Sequence, residues 1–161
     1  MEKELRRKQV TLVTLGTGVI LFGVWSVVKS ILYFRTNLFK DLDTQVEPEL
    51  LPYIKLAIVV IVALFVLADM GIRLKIGRRA RAEGMGRRQK NGYLILAALI
   101  VLVNITGDLL GVYYIVKNGV PEQSGLDYVV SVLVDLSSTV LLAELIVTVL
   151  RVRKLRAMSE G

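Results

Sequence analysis

Residues 93–116 read YLILAALIVLVNITGDLLGVYYIV, an apolar run whose strongly polar members are Asn104 and Asp108. At about 1.5 Å per residue, a helix of this length crosses the hydrocarbon core of a bilayer, which is about 30 Å thick. A helix also satisfies its own backbone polar groups in lipid, which an open strand does not. The run therefore predicts a membrane-spanning helix.

Three further apolar blocks of similar length occupy residues 10–34, 51–72 and 128–150. Hydrophobic residues make up 54% of the 161-residue chain, more than one soluble core could hide. The sequence thus predicts an all-α, polytopic membrane protein with four transmembrane helices in an up-down bundle, forming a single domain over residues 1–161. The first block follows basic residues, but it is too long for a signal sequence and is interpreted as a retained span.

The positive charges fall on one side of these four spans. The amino terminus holds four Lys and Arg, the loop at 73–92 eight and the tail after Leu150 four, against three in the other two loops. The positive-inside rule then places both termini and the basic 73–92 loop in the cytoplasm. We expect a multi-pass protein of the plasma (inner) membrane.

The 73–92 loop is also a candidate binding surface for anions. Its cations could contact anionic lipid headgroups, and the residues that we expect to do so are Arg78, Arg79, Arg81, Arg87 and Arg88. Nucleic acid is the alternative ligand, but the loop lacks interleaved aromatic residues on which bases could stack. The bilayer is therefore the expected partner, and nucleic acid is not.

Several kinds of chemistry have no support in the composition. The chain contains no cysteine and no histidine, which excludes disulfides, thiolate metal sites and imidazole catalysis. No nucleophile–base pair, metal-binding cluster or phosphate-binding loop is recognisable. We expect neither a cofactor nor a metal, and we expect that the protein is not an enzyme.

Six ionisable residues fall inside the four blocks. They are Lys29, Lys55, Asp69, Asp108, Asp135 and Glu144. At a helix centre each would cost about 2.5 to 3.5 kcal/mol, and this cost falls toward the membrane interfaces. Asp108 and Asp135 lie only about 5 to 6 Å outside the midpoints of their spans, and Glu144 lies about 8 Å inside. These acids are therefore the strongest candidates for a function.

Helical spacing predicts where these side chains point. Asn104 and Asp108 share one face of the third span, and Asp135 and Ser138 share a face of the fourth. We expect these faces to look into the bundle, where Lys29 and Lys55 lie at a similar depth to the acids. Glu144 is nine residues from Asp135, so it lies on the opposite side of the fourth helix and needs a different partner.

Asp69 and Glu144 occupy matching positions in the two halves of the chain. Asp69 ends the sequence LAD and Glu144 ends LAE, 75 residues later, and basic residues follow both. This match indicates an internal repeat of two helical hairpins. The other explanation is that any two hairpins that obey the same topology rules look alike.

Two functions fit this pattern. The first is an oligomeric channel or transporter for protons, cations or small cationic solutes, which would use the buried carboxylates together with Asn104 and Ser138. The second is a non-catalytic interaction or assembly subunit in which the buried charges are structural pairs. The expected partners are accordingly further copies of the chain, as a homo-oligomer, or another membrane subunit.

Overall fold

The computed structural model describes residues 2–36, 49–118 and 125–160, with side chains described over 2–28, 49–117 and 132–159. The elements are α1 (Glu2–Thr36), α2 (Leu51–Gly84), α3 (Gly92–Asn118) and α4 (Gly125–Glu160). The predicted all-α fold is confirmed over these ranges. All four helices are long and apolar enough to cross a membrane.

Three of the helices continue past the apolar blocks into charged sequence. Most of the segment predicted as a basic loop at 73–92 is helical, because α2 runs on to Gly84 and only residues 85–91 connect it to α3. The sequence RLKIGRRARA explains this extension, since Arg, Lys and Ala are good helix formers and the charged heads can remain in water.

A Schellman motif ends α2. The backbone N–H of Gly86 donates to the carbonyl of Glu83 at 3.1 Å, and that of Arg87 donates to the carbonyl of Ala82 at 3.0 Å. Gly86 has a φ of +95°, a left-handed conformation that glycine adopts without steric cost. The glycine therefore turns the chain sharply between α2 and α3.

The hydrophobic core lies in one of two compact units, the unit formed by Met1–Val19 and Lys75–Gly161. Each of the four helices contributes to it. Its buried members are Leu12, Leu15, Val19, Ile76, Ala80, Tyr93, Ala97, Leu142, Leu145, Val149 and Val152.

Glycines allow α1 and α2 to pack closely within this unit. A Cβ added at Gly16 would lie 2.8 Å from the carbonyl oxygen of Gly77, and one added at Gly84 would lie 2.8 Å from that of Gln9. Residue 16 is thus beside 77 and residue 9 beside 84, so the two helices run antiparallel here. Small residues permit this backbone approach, as in many membrane helix pairs.

The second unit, Ile20–Leu74, is much less buried. Of its residues whose burial is described, only Gly23 and Arg73 are buried, and a Cβ added at Gly23 would lie 3.2 Å from the Cβ of Arg73. Residues 51–72 of α2 include no buried residue. Burial among apolar side chains within the described chain therefore contributes little to the stability of this stretch.

Candidate functional site

The most completely buried charged side chain in the described residues is Glu83, which is 1% exposed in the last turn of α2. Its carboxylate accepts two hydrogen bonds from Arg153 on α4, from Nε to Oε1 at 2.6 Å and from Nη2 to Oε2 at 3.0 Å. This bidentate geometry supplies the opposite charge that a buried carboxylate requires.

Tyr93, in the first turn of α3, is a second donor to the same carboxylate. Its hydroxyl donates to Oε2 of Glu83 at 2.5 Å, and its ring is 1% exposed within the core. A buried tyrosine hydroxyl needs a hydrogen-bond partner, and Glu83 provides one. The carboxylate therefore links α2 to both α3 and α4.

Arg153 and Arg156 also form hydrogen bonds to the end of α2 and to the segment that connects it to α3. Nη1 of Arg153 donates to Oδ1 of Asn91, and Nη2 donates to the carbonyl of Gln89 at 3.1 Å. Nη2 of Arg156 donates to the carbonyl of Glu83 at 2.7 Å. We call Glu83, Asn91, Tyr93, Arg153 and Arg156 the inner polar cluster.

The inner polar cluster has the properties of a structural clamp. Both carboxylate oxygens of Glu83 are engaged, and the guanidinium of Arg153 distributes its donors over three residues. The Glu83 side chain is only 2% exposed, so its carboxylate is closed to a ligand from solvent. Over the described part of the chain, no group of three or more acidic residues is placed to hold a metal ion.

The sequence analysis did not identify Glu83 or Tyr93 as site residues. The signal in the sequence was that residues 73–92 contain eight Lys and Arg but a single acidic residue, Glu83. A lone acid within a basic helix often reflects local charge balance, so only the contact with α4, 70 residues away, reveals its role.

The predicted polar faces of α3 and α4 do meet. Nδ2 of Asn104 donates to Oγ1 of Thr139 at 3.1 Å, and Oγ1 of Thr139 donates in turn to the backbone carbonyl of Asp135 at 2.8 Å. Ser138 is buried beside them on α4. Sequence analysis missed Thr139, although it is adjacent to the predicted Ser138.

The two acids of these faces lie on the inward sides of their helices. Asp108 and Asp135 are both half-buried, in contrast to the exposed neighbours Leu109 and Leu136. Neither acid is without a partner, and the same holds for Ser138. The spacing argument therefore predicted the buried faces of α3 and α4 correctly.

The predicted charges on the other helices have different surroundings. Asp69 forms an ion pair with Arg73 one turn later on α2, at 2.9 Å between Oδ2 and Nε. Lys55 is half-buried and is not without a partner. Lys29 lies outside the residues whose side chains are described, so its predicted approach to the acids stays a prediction.

Glu144 is exposed on α4, on the side away from the half-buried Asp135, as the nine-residue spacing predicted. The arginines expected to contact anionic lipid lie on α2 and in the connection that follows it. Arg78, Arg81, Arg87 and Arg88 are exposed, and Arg79 is half-buried.

Comparisons with protein-family models, with curated proteins and with solved structures find no match to this chain. Its function is therefore inferred from the geometry of the chain itself.

Proposed function

We propose that this chain is an integral protein of the plasma (inner) membrane whose four helices cross the bilayer up and down, with both termini and the α2–α3 connection in the cytoplasm. The proposal is supported by four helices of sufficient length and apolarity. It is also supported by contacts that bring basic helix ends together: Gln9 of α1 lies beside Gly84 of α2, and Glu83 bonds to Arg153 of α4. A shared basic end is typical of the cytoplasmic side.

Cysteine labelling tests this topology directly, because the chain has no native cysteine. We expect a membrane-impermeant maleimide to label Thr44→Cys and Gly119→Cys, in the two predicted outer loops, on intact spheroplasts. Met85→Cys and Ser159→Cys should react only after permeabilisation. Labelling of Met85→Cys from outside would contradict the orientation, and extraction of the chain by alkaline carbonate would contradict insertion.

Within the membrane, we propose that the protein is a non-catalytic interaction or assembly subunit. The observation that carries this proposal is the pairing of its charged and polar groups inside the chain. Glu83 is held by Arg153, Asp69 by Arg73, and Asn104 by Thr139. The two pairs that join different helices, Glu83 with Arg153 and Asn104 with Thr139, fix the register of those helices, and none of the three pairs requires a passing solute.

Transport of protons or small cations is the second candidate function. It is favoured by Asp108 and Asp135, which are half-buried acids on the inward faces of α3 and α4. Acids inside a membrane are candidate transport sites, since a carboxylate can exchange a proton for a cationic solute.

Flux measurements on the variant Asp108→Asn separate the two functions. Purified protein is reconstituted in vesicles that contain a pH-sensitive dye, and a potassium gradient with valinomycin sets the membrane potential that drives proton movement. The interaction subunit predicts that the wild type passes no more protons than empty vesicles, and that Asp108→Asn melts at a lower temperature. The control Glu49→Gln removes an exposed acid and should change neither quantity. Wild-type flux that Asp108→Asn abolishes without a change in melting would favour transport instead.

A further inference from the structure

The outward side of α4 carries a narrow stripe of exposed residues at alternating spacings of four and three. We call these residues the α4 stripe: Leu133, Ser137, Val140, Glu144, Val147 and Arg151, all of them exposed. These spacings average 3.6 residues, the length of one helical turn, so the six side chains lie in line along one face of α4. The hydroxyl of Ser137 is engaged, because it donates to the carbonyl of Leu133 at 2.7 Å. Glu144 is thus the polar group that the middle of the stripe offers to a neighbour.

Glu144 differs from the other acids of the spans in its surroundings. Within the described residues it makes no hydrogen bond or ion pair, and it is exposed among Val140 and Val147, which are 59% and 49% exposed. In the proposed topology it lies about 8 Å from the middle of its span, where a charge that faces lipid carries a substantial penalty. A partner from outside the chain would remove this penalty.

The matching acid on α2 shows what kind of partner is missing. Asp69, at the equivalent position 75 residues earlier, obtains a cation from its own helix, because Arg73 follows one turn later. The corresponding residue on α4 is Thr148, which is buried and carries no charge. At this position α4 therefore carries a carboxylate but lacks the cation that pairs with the matching carboxylate on α2.

We infer that the α4 stripe docks a transmembrane helix of another protein, one that carries a lysine or arginine at the depth of Glu144. The inference rests on the proposed function and specifies the partner of the assembly subunit. Charge complementarity selects this occupant over a second copy, since parallel α4 helices from two copies would place their Glu144 carboxylates opposite each other. Arg151, seven residues nearer the inner end, repels a basic residue at that level and so restricts the depth of the partner's cation.

A designed peptide can serve as the partner helix. The probe is a synthetic transmembrane peptide of leucine and alanine with one lysine at the depth of Glu144, and a second peptide has leucine in place of that lysine. The full chain carries a donor dye at Ser159→Cys and each peptide an acceptor, in vesicles of phosphatidylcholine and phosphatidylglycerol. We expect the wild type to bind the lysine peptide about 5- to 30-fold more tightly than the leucine peptide, as judged by energy transfer.

Three variants locate this preference. Glu144→Gln should bind both peptides equally, and Glu144→Lys should prefer a peptide that carries glutamate instead of lysine. Asp69→Asn removes the matching acid of α2 and should keep the lysine preference of the wild type. Because Glu144 is exposed, these variants should retain the melting temperature of the wild type. A small loss of stability would not reverse the peptide preference, so Glu144→Lys tests the inference independently of stability.

Two results would overturn the inference. The first is a wild-type chain that binds the lysine and leucine peptides equally. The second is energy transfer between donor- and acceptor-labelled copies of the wild type that Glu144→Gln abolishes, which would assign the stripe to a second copy. Cysteine labelling of the same vesicles separates the two proposals: a chain that is not inserted contradicts the membrane topology, whereas an inserted chain without lysine preference contradicts only the docking of a basic helix.

Discussion

Removing the carboxylate of Glu83 should destabilise the folded chain, because three hydrogen bonds from Arg153 and Tyr93 end on it. Removing one partner of a buried ion pair costs about 3 to 5 kcal/mol. The side chain of Arg153 is 29% exposed, so its charge can regain some water, and we expect Glu83→Ala to cost about 3 kcal/mol of stability. For a chain of this size, that loss corresponds to a decrease of about 6 to 12 °C in melting temperature.

The reciprocal variant should cost more. Glu83 is 1% exposed in the wild type, and Arg153→Ala leaves its carboxylate with Tyr93 as the remaining donor, so we expect a loss of about 4 to 5 kcal/mol. In the double variant neither charge is left alone, and its loss should be smaller than the sum of the two single losses by about 1 to 3 kcal/mol.

Thermal melting of purified protein in detergent micelles, followed by circular dichroism, measures all three variants. Arg151→Ala is the matched control, because Arg151 is an exposed arginine two residues before Arg153 on the same helix. Its change should remain within about 0.5 kcal/mol of the wild type. The reasoning is refuted if Glu83→Ala and Arg153→Ala behave like this control, or if their effects simply add in the double variant.

Two further predictions use the same measurement. Gly16→Ala should lower the melting temperature, because its new Cβ would lie 2.8 Å from the backbone oxygen of Gly77. Its control is Gly71→Ala, whose Cβ would meet nothing within 4 Å and which should be neutral or gain up to about 1 kcal/mol in helix propensity. Equal melting temperatures of the two variants would contradict the close packing of α1 on α2. Asn104→Ala should cost about 0.6 to 1.7 kcal/mol through its lost bond to Thr139, and adding Thr139→Val should cost less in that background than alone. Thr106→Val, at an exposed residue that bonds to a carbonyl of its own helix, is the control, and a larger loss there than at Asn104 would argue against the interhelical bond.

Local periodicity was sufficient to predict parts of the candidate site. The spacing of Asn104 and Asp108 predicted the inward face of α3, and the nine residues between Asp135 and Glu144 predicted that these acids lie on opposite sides of α4. Both predictions follow from the 100° turn per residue of a helix, which requires no knowledge of the neighbouring helices. The ends of the helices were harder to predict, since apolar content marks the lipid-compatible part of a helix and not where its hydrogen bonding stops.

The sequence by itself determined that the chain forms four long apolar helices, because length and hydropathy are properties of consecutive residues. Only the tertiary structure decided that Glu83 is buried, that Arg153 is its partner and that Glu144 is exposed with no partner among the described residues. Within a basic segment, a glutamate at the surface and one buried against another helix have the same local sequence. Their difference arises from contacts between residues far apart in the chain, such as the 70 residues that separate Glu83 from Arg153.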